Sequence, residues 1–199
     1  MFVTEAGEFA EAVGGLLTRY PRPAVLAQLN LLDSHDTARC ATITGGTDSL
    51  RLATLFQMTY PGAPCIYYGN EIGMTGEDDP DCRGAFPWDE SRWDKDLHSW
   101  FKRCISLRKS HRSLRDGAWE VVRAKEGVLC YQRTRGEDAA LVMVNNAPSP
   151  FTAGVPVKAP LQDGQRLVDA LSGSAATIRN GALAGHRVPA RGGAVFLRA

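Results

Sequence analysis

Apolar residues at three- and four-residue spacing predict three helices in the first half of the chain, over residues 5–20, 49–60 and 94–111. Between them lie two short, nearly all-apolar runs, Ala24–Leu32 and Ala63–Tyr68, each after a proline break. Runs of this kind are typical of strands that are buried on both faces of a parallel sheet. The order helix, strand, helix, strand, helix predicts an α/β arrangement.

The pattern changes after about residue 112. Short alternating segments are separated by turn signals, of which Asn180–Gly181 is typical of a β-hairpin. We therefore predict an antiparallel β-sandwich domain over residues 112–199 and an α/β part over residues 1–111. Because the β domain has a full set of strands and turns, we expect it to fold without the α/β part.

Two parallel strands do not make a stable sheet by themselves. Burial of both faces of the two predicted strands requires neighbouring strands that the 199 residues do not supply. We expect these strands either to bind the missing part of a larger sheet or to mediate self-association.

Composition excludes several classes of function. The chain is 44% hydrophobic and 23% charged with a formal net charge of +1, so no basic surface for nucleic acid is predicted. No apolar run approaches the length of a membrane helix, and residues 1–5 lack the features of a signal peptide. Five scattered cysteines without a CxxC pair predict free thiols and a cytoplasmic protein.

Polar side chains follow the first predicted strand. Ser34, His35 and Asp36 lie where α/β barrels carry their chemistry, at the carboxyl end of a strand. Alone, a His-Asp pair is more often a turn or a cap, and three sequence neighbours cannot converge as a Ser-His-Asp triad. The other histidines lack the spacing of metal ligands, so we predict neither a metal site nor a cofactor.

The second predicted strand is also followed by polar residues, and a long loop extends from there to about Ser91. Loops of this length inside compact domains are usually functional. Tyr67 and Tyr68 are predicted to be core aromatics. For Trp88, packing between the loop, a helix and the β domain is preferred over stacking on a ligand ring.

Several motifs occur in a recognisable order: Asn30–Arg39 (NLLDSHDTAR), Pro61–Met74 (PGAPCIYYGNEIGM), Asp79–Arg83 (DPDCR), Trp88–Asp89 and Leu107–Arg115 (LRKSHRSLR). Together they resemble the α-amylase family of glycoside hydrolases, in the branch of neopullulanase, cyclomaltodextrinase and maltogenic amylase. The resemblance implies that residues 1–111 are the C-terminal part of a (β/α)₈ barrel, from helix six to helix eight. Residues 112–199 would be the C-terminal antiparallel β-sandwich domain.

The resemblance also implies site residues. Asp36 matches the third catalytic carboxylate, which holds sugar hydroxyls as the ring distorts toward an oxocarbenium ion. His35 would bind hydroxyls of the same sugar, and the partner is therefore an α-glucan oligosaccharide. Asp79 and Arg83 match a pair that contacts the neighbouring sugar, with a mutual surface salt bridge as the alternative. Asn70 departs from the aspartate usual in the family, which is expected to disturb the loop slightly.

Two other catalytic groups of the family have no match. The family carries its nucleophilic aspartate after strand four, in a Gly-x-Arg-x-Asp context, and its acid glutamate after strand five. No such segment precedes Asp36. One hypothesis is therefore that the chain is part of a retaining hydrolase of cyclomaltodextrins, pullulan or malto-oligosaccharides. On this hypothesis the 199 residues alone are inactive. The other is a non-catalytic carbohydrate-binding or interaction remnant, and the coding sequence upstream of Met1 would distinguish the two.

Overall fold

The computed structural model describes residues 5–152 and 154–199. The helices of these ranges are α1 (Ala6–Thr18), α2 (Arg22–Ala27), α3 (Cys40–Thr44), α4 (Thr47–Thr59), α5 (Lys95–Ser110) and α6 (Arg112–Asp116). Short 3₁₀ helices lie at Asn70–Ile72, Asp81–Arg83 and Glu90–Arg92. No helix in the described part is long and apolar enough to cross a membrane.

The three helices predicted from spacing are confirmed as α1, α4 and α5. Asp94 precedes α5, and its side chain accepts a hydrogen bond from the backbone N–H of Leu97 at 2.8 Å. This N-cap satisfies a donor that the first helical turn would otherwise leave unpaired.

The predicted strand Ala24–Leu32 is wrong over its first half. Residues Arg22–Ala27 form helix α2, because the backbone oxygen of Pro21 accepts hydrogen bonds from Ala24 and Val25 and opens a helical turn. Strand β1 covers only Leu29–Leu31. The predicted burial of both strand faces is also wrong, since Leu29 is 65% exposed and Leu31 54% exposed.

The predicted parallel pairing is confirmed. Strand β1 pairs in parallel with β2 (Ala63–Cys65), in a register that places Leu29 opposite Ala63. The Gln57 side chain of α4 joins the two strands, because its Nε2 donates to the backbone oxygens of Asn30 at 2.8 Å and Cys65 at 3.0 Å. The carboxyl ends of both strands therefore open at one edge.

The second half of the chain forms an antiparallel sheet. Its eight strands are hydrogen-bonded in the order β3-β4-β5-β12-β8-β9-β10-β7, and β11 pairs with β6. Their bounds are β3 Ala118–Lys125, β4 Val128–Arg135, β5 Asp138–Asn145, β6 Phe151–Thr152, β7 Val155–Pro156, β8 Arg166–Asp169, β9 Ala175–Arg179, β10 Ala182–Leu183, β11 Arg187–Val188 and β12 Gly192–Arg198. The Asn180–Gly181 turn joins β9 to β10 with both φ angles positive, as a two-residue hairpin requires.

The sheet curls over, so that its edge strands β3 and β7 come into contact and one face encloses a core. That core contains Val128, Cys130, Leu141, Met143, Val155, Leu161, Leu167, Ile178, Leu183, Val188, Ala194 and Phe196. The boundary predicted at residue 111 falls between α5 and α6 and stays a prediction.

A second core joins the other face of the sheet to the helices. It contains Ala10, Leu55, Met58, Cys104, Leu107 and Leu114 from the helices, with Leu129, Tyr131, Ala140, Val142 and Val195 from the strands. Gly193 allows the close approach of α4 to β12, because a Cβ atom there would lie 2.3 Å from Leu55 Cδ2 and 2.8 Å from the Met143 oxygen.

Two buried guanidinium groups, those of Arg108 and Arg133, also bridge the halves. Each donates four hydrogen bonds to backbone oxygens. The acceptors of Arg108 are Met58, Tyr60, Gly62 and Leu114, and those of Arg133 are Thr59, Leu114, Gly117 and Ala118. Burial lowers the pKa of both groups to about 10, so both remain charged at neutral pH.

All five cysteines are free thiols. Cys40, Cys82, Cys104 and Cys130 are buried, and Cys65 is half-buried on β2. The prediction of unpaired thiols is therefore confirmed.

The shared second core changes the expectation that the β domain folds alone. Residues 112–199 expressed alone would expose the sheet face that packs on α1, α4 and α5, an apolar surface that isolated domains rarely tolerate. We expect such a fragment to associate or to lack a cooperative thermal transition, measured by circular dichroism and light scattering. A monomer with a sharp melt near that of the full chain would contradict this.

Arg133→Met should lower the free energy of unfolding by about 3 kcal/mol or more, because it leaves several buried carbonyl oxygens without donors. Urea titration at neutral pH measures the change. Arg187→Met is the matched control, since Arg187 is exposed on β11, and it should change stability little. Equal effects of the two substitutions would refute the bridging role.

Candidate active site

The segment after β1 forms a polar turn at the open edge of the strand pair. The backbone N–H of Ser34 donates to Thr37 Oγ1, and the N–H of Asp36 donates to Ser34 Oγ, both at 3.1 Å. These local bonds fix the turn while leaving His35 and Asp36 exposed. The polar cluster therefore lies at the carboxyl end of the strand, as predicted.

A buried carboxylate, that of Asp33, lies next to this turn and accepts two hydrogen bonds. Asp33 is only 5% exposed, and its Oδ2 accepts a hydrogen bond from the Cys40 backbone N–H at 2.6 Å, at the start of α3. Its Oδ1 accepts from Asn70 Nδ2 at 2.5 Å, which joins the segment after β1 to the segment after β2. An aspartate at position 70 lacks that donor when ionised, so the amide of Asn70 suits the contact with Asp33. The buried Oδ1 of Asn70 has no hydrogen-bond partner among the described residues, so the slight disturbance expected from the sequence stays a prediction.

The structure brings the four predicted site residues together. Arg83 is central: its Nε lies 2.7 Å from Asp79 Oδ1 and donates to the His35 backbone oxygen at 3.1 Å. Its Nη2 lies 3.8 Å from Asp36 Oδ1. His35 Nε2 lies 3.2 Å from the same Asp36 oxygen. The salt bridge between Asp79 and Arg83, the alternative reading of that pair, is thus present.

The four side chains are nevertheless half-exposed or more. Asp36 is 69% exposed and Arg83 49% exposed, and ion pairs in water contribute little net free energy. A polar ligand can therefore replace these contacts at small cost. The cluster offers carboxylate oxygens that accept from hydroxyl groups and a guanidinium that donates to hydroxyl or ring oxygens.

A fully buried arginine lies beside the cluster. Arg39 donates from Nη1 to the Tyr68 backbone oxygen at 2.7 Å, and its Cζ lies 4.6 Å and 4.8 Å from the ring centres of Tyr67 and Tyr68. No carboxylate of the described residues forms an ion pair with it. The two aromatic rings therefore supply the main favourable environment for its charge.

The two tyrosines are not simply core aromatics, as the sequence analysis expected. Tyr68 is 39% exposed, and its hydroxyl donates to the Gly84 backbone oxygen at 2.8 Å. The Tyr67 hydroxyl donates to the Cys82 oxygen at 3.3 Å. Burial, followed by the adjacent Tyr68 hydroxyl, raises the pKa of Tyr67, so it remains a donor at neutral pH.

Trp88 on the long loop does not pack into the protein. It is 83% exposed, and its ring centre lies 4.8 Å from that of Phe86. The predicted packing role of Trp88 is therefore wrong, and its exposed ring is a surface available for stacking.

Other chemistries find no support in the described residues. Burial, and then the Asp33 carboxylate, raises the pKa of Cys40 to about 11, so this thiol is not a nucleophile at neutral pH. No group of three histidine, cysteine, aspartate or glutamate side chains in the described ranges could hold a metal ion.

Sequence reasoning assigned no functional role to Asp33, Arg39, Tyr67 and Tyr68. An acidic residue directly after an apolar run was a signal for Asp33, because a carboxylate there must find donors. The partners of Arg39 lie 28 and 29 positions away, at Tyr67 and Tyr68, and no local pattern indicates them.

Comparison with known proteins assigns the chain to a family. The family described as "Alpha amylase, catalytic domain" matches residues 16–120, and "Neopullulanase-like, C-terminal domain" matches residues 119–196. The chain belongs to the α-amylase family. It carries the C-terminal part of a (β/α)₈ barrel followed by an antiparallel β domain, as the resemblance implied.

Similar proteins include enzymes with curated names. A cyclomaltodextrinase of Geobacillus thermopakistaniensis (strain MAS1) is 40% identical over 84% of this chain and 29% of its own length. Neopullulanase 2 of Thermoactinomyces vulgaris is 40% identical over 82% of this chain and 29% of its own length. This α-amylase family chain thus spans less than a third of these relatives.

Solved structures with a similar fold cover almost the whole chain. A crystal structure of a Thermus thermophilus protein aligns with 98% of this chain and 41% of its own length, at 38% identity and a TM-score of 0.89. A cyclomaltodextrinase structure aligns with 99% of this chain and 34% of its own length, at 34% identity and a TM-score of 0.86.

Asn70→Asp tests the buried support of the site. At neutral pH it replaces a donor with a second carboxylate facing Asp33, so the free energy of unfolding should fall by about 2–4 kcal/mol. The pKa of the introduced group is raised in the folded state. The deficit should therefore be small below pH ~3, where the group is protonated in both states, and should grow as pH rises.

Urea titration across that pH range measures the effect. Asn146→Asp is the control, because Asn146 is exposed and its Oδ1 accepts from Arg191, so a carboxylate there should cause no loss of stability as pH rises. A pH-independent change at position 70 would contradict the carboxylate–amide pairing.

Proposed function

We propose that the chain supplies one side of the active site of an α-glucan hydrolase that cleaves α-1,4-glucosidic bonds. The observation that carries the proposal is the convergence of His35, Asp36, Asp79 and Arg83 at the carboxyl ends of two parallel strands. In α/β barrels this edge is where substrates bind.

Each residue has a role that its chemistry fits. Asp36 accepts hydrogen bonds from sugar hydroxyls and favours the positive charge that develops on the distorting ring. His35 binds hydroxyls of the same sugar. Asp79 and Arg83 hold the neighbouring sugar, since together they offer an acceptor and a planar set of donors. Trp88 is a candidate stacking surface for a further ring.

The nucleophile and the general acid come from polypeptide outside the 199 residues. A retaining glycosidase needs two carboxyl groups about 5–5.5 Å apart. No Gly-x-Arg-x-Asp segment occurs before Asp36. The exposed faces of Leu29 and Leu31 on β1 are the surface on which the remaining barrel strands would pack, whether they belong to the same polypeptide or to another. Self-association through this surface is the competing use of it.

The names of relatives support the substrate class and the compartment. Cyclomaltodextrinase and neopullulanase are the names of relatives at 40% identity, which favours cyclomaltodextrins, pullulan or short malto-oligosaccharides as substrates. A relative from Bacillus subtilis (strain 168), 34% identical over 70% of this chain, is named intracellular maltogenic amylase. With the free thiols, this name supports a cytoplasmic location.

We predict that the 199 residues alone do not hydrolyse cyclomaltodextrin, pullulan or maltotriose. A stabilising carboxylate has nothing to act on without a nucleophile and an acid, and loss of two members of a catalytic unit removes nearly all rate enhancement. Reducing-sugar assays measure turnover. Mixing the chain with a polypeptide that carries the six preceding barrel strands of a relative should restore it.

Two substitutions in the mixture separate the proposed roles. Asp36→Asn should reduce turnover by about a hundredfold to a thousandfold, the scale of a lost electrostatic stabiliser. Arg83→Ala should mainly raise KM. Turnover by the chain alone that survives Asp36→Asn would refute the assignment. Sugar binding without turnover in any mixture would favour the non-catalytic carbohydrate-binding remnant.

A further inference from the structure

Two tyrosines that follow β2 contact the turn that carries Arg83. We propose that Tyr68, assisted by Tyr67, is a positioning residue. Its hydroxyl holds the Cys82–Gly84 turn in place and thereby keeps Arg83 in contact with the His35–Asp36 turn. The consequence for sugar binding rests on the function proposed above, whereas the positioning itself does not.

The two hydroxyls hold the turn on both sides of Arg83. Tyr68 donates to the oxygen of Gly84 at 2.8 Å, and Tyr67 donates to the oxygen of Cys82 at 3.3 Å. Both bonds end on backbone atoms, so they fix the path of the chain and not one side-chain rotamer. The side chain between these two anchors is that of Arg83.

The tyrosine rings are themselves held in place. The buried Arg39 guanidinium lies over both rings, within 5 Å of each ring centre, and donates to the Tyr68 backbone oxygen. The backbone N–H of Arg39 donates to the Gly76 oxygen at 2.9 Å, at the start of the long loop. Arg39 follows Asp36 by only three residues. It therefore connects the His35–Asp36 turn to Tyr67 and Tyr68, which hold the turn that carries Arg83.

Arg83 needs such a support because its own ion pairs are weak. Its contacts to Asp79 and Asp36 are between side chains that are about half-exposed or more, and such pairs do not repay the entropy of fixing a long side chain. Two further bonds join the turns, because Arg83 Nε and the buried Cys82 Sγ both donate to the His35 oxygen, at 3.1 Å and 3.2 Å. A thiol is a weak donor, and Arg83 is the side chain to be positioned. The tyrosine hydroxyls instead anchor the backbone oxygens on both sides of Arg83.

The role predicts how Tyr68 acts on a substrate. Arg83 is assigned to the neighbouring sugar and not to the reacting one. Misplacing the turn should therefore weaken binding and leave the chemical step intact, which appears as a raised KM with kcat unchanged.

Tyr68→Phe tests the tether in the 199-residue chain. It keeps the ring over which Arg39 lies and removes only the hydroxyl, and the freed Gly84 oxygen can bind water because this bond is exposed. The measurement is proton exchange at Arg83 Nε by arginine side-chain NMR, since this N–H donates to His35 and faces Asp79. Exchange should accelerate roughly threefold to tenfold, the factor for one net hydrogen bond.

Two internal references make the result specific. Arg133 Nε donates to the buried Ala118 oxygen at 3.1 Å and should keep its exchange rate. Tyr20→Phe, at an exposed tyrosine, should change neither signal. Tyr67→Phe should give a smaller acceleration at Arg83, because its hydrogen bond is longer.

Unchanged Arg83 exchange in both Tyr68→Phe and Tyr67→Phe would overturn the proposal. Equal acceleration at Arg83 and Arg133 would also overturn it, because that pattern reports general loosening. No sugar enters this measurement, so its failure refutes the tether alone. In the restored hydrolase mixture, Tyr68→Phe should raise KM several-fold with kcat unchanged, and an absence of turnover in the wild-type mixture would refute the proposed function alone.

Discussion

The geometry of the site depends on the two buried guanidinium groups at the base of α4. Arg133 and Arg108 bind the backbone oxygens at the carboxyl end of this helix, where the helix dipole favours positive charge. In the same helical turn, the Gln57 side chain joins β1 to β2. The β domain therefore does more than cover apolar surface, because it fixes the helix that aligns the two strands whose ends carry the site.

Much of the architecture was predictable because its causes are local. The spacing of apolar residues identified α1, α4 and α5, and Asn180–Gly181 identified a hairpin from its backbone preferences alone. The apolar run at Ala24 was ambiguous, since short apolar segments suit a helix or a strand equally, and the turn opened by Pro21 decides for α2. The motif resemblance named the four site residues, but only the folded chain brings Arg83 beside Asp36.

The unpredicted features share a physical cause. In each, a buried polar group forms hydrogen bonds with residues that are distant in the sequence. Arg133 lies on the same face of β4 as Leu129 and Tyr131, and its guanidinium is fully buried there because carbonyl oxygens from α4 and α6 surround it. Asp33 likewise finds its donors at Cys40 and Asn70. The exposed cluster around Arg83 thus lies next to a network of buried, hydrogen-bonded polar groups.

The reactivity of the free thiols reports which parts of the molecule open locally. Cys130 lies inside the curled sheet, Cys104 in the core shared by sheet and helices, Cys40 in the small core beneath the site and Cys82 in the Arg83 turn. Because each buried thiol becomes reactive only when its own surroundings separate, alkylation of the four would proceed at different rates if the regions open independently. The order of modification would rank the parts of the molecule by local stability, without any cysteine being engineered into the chain.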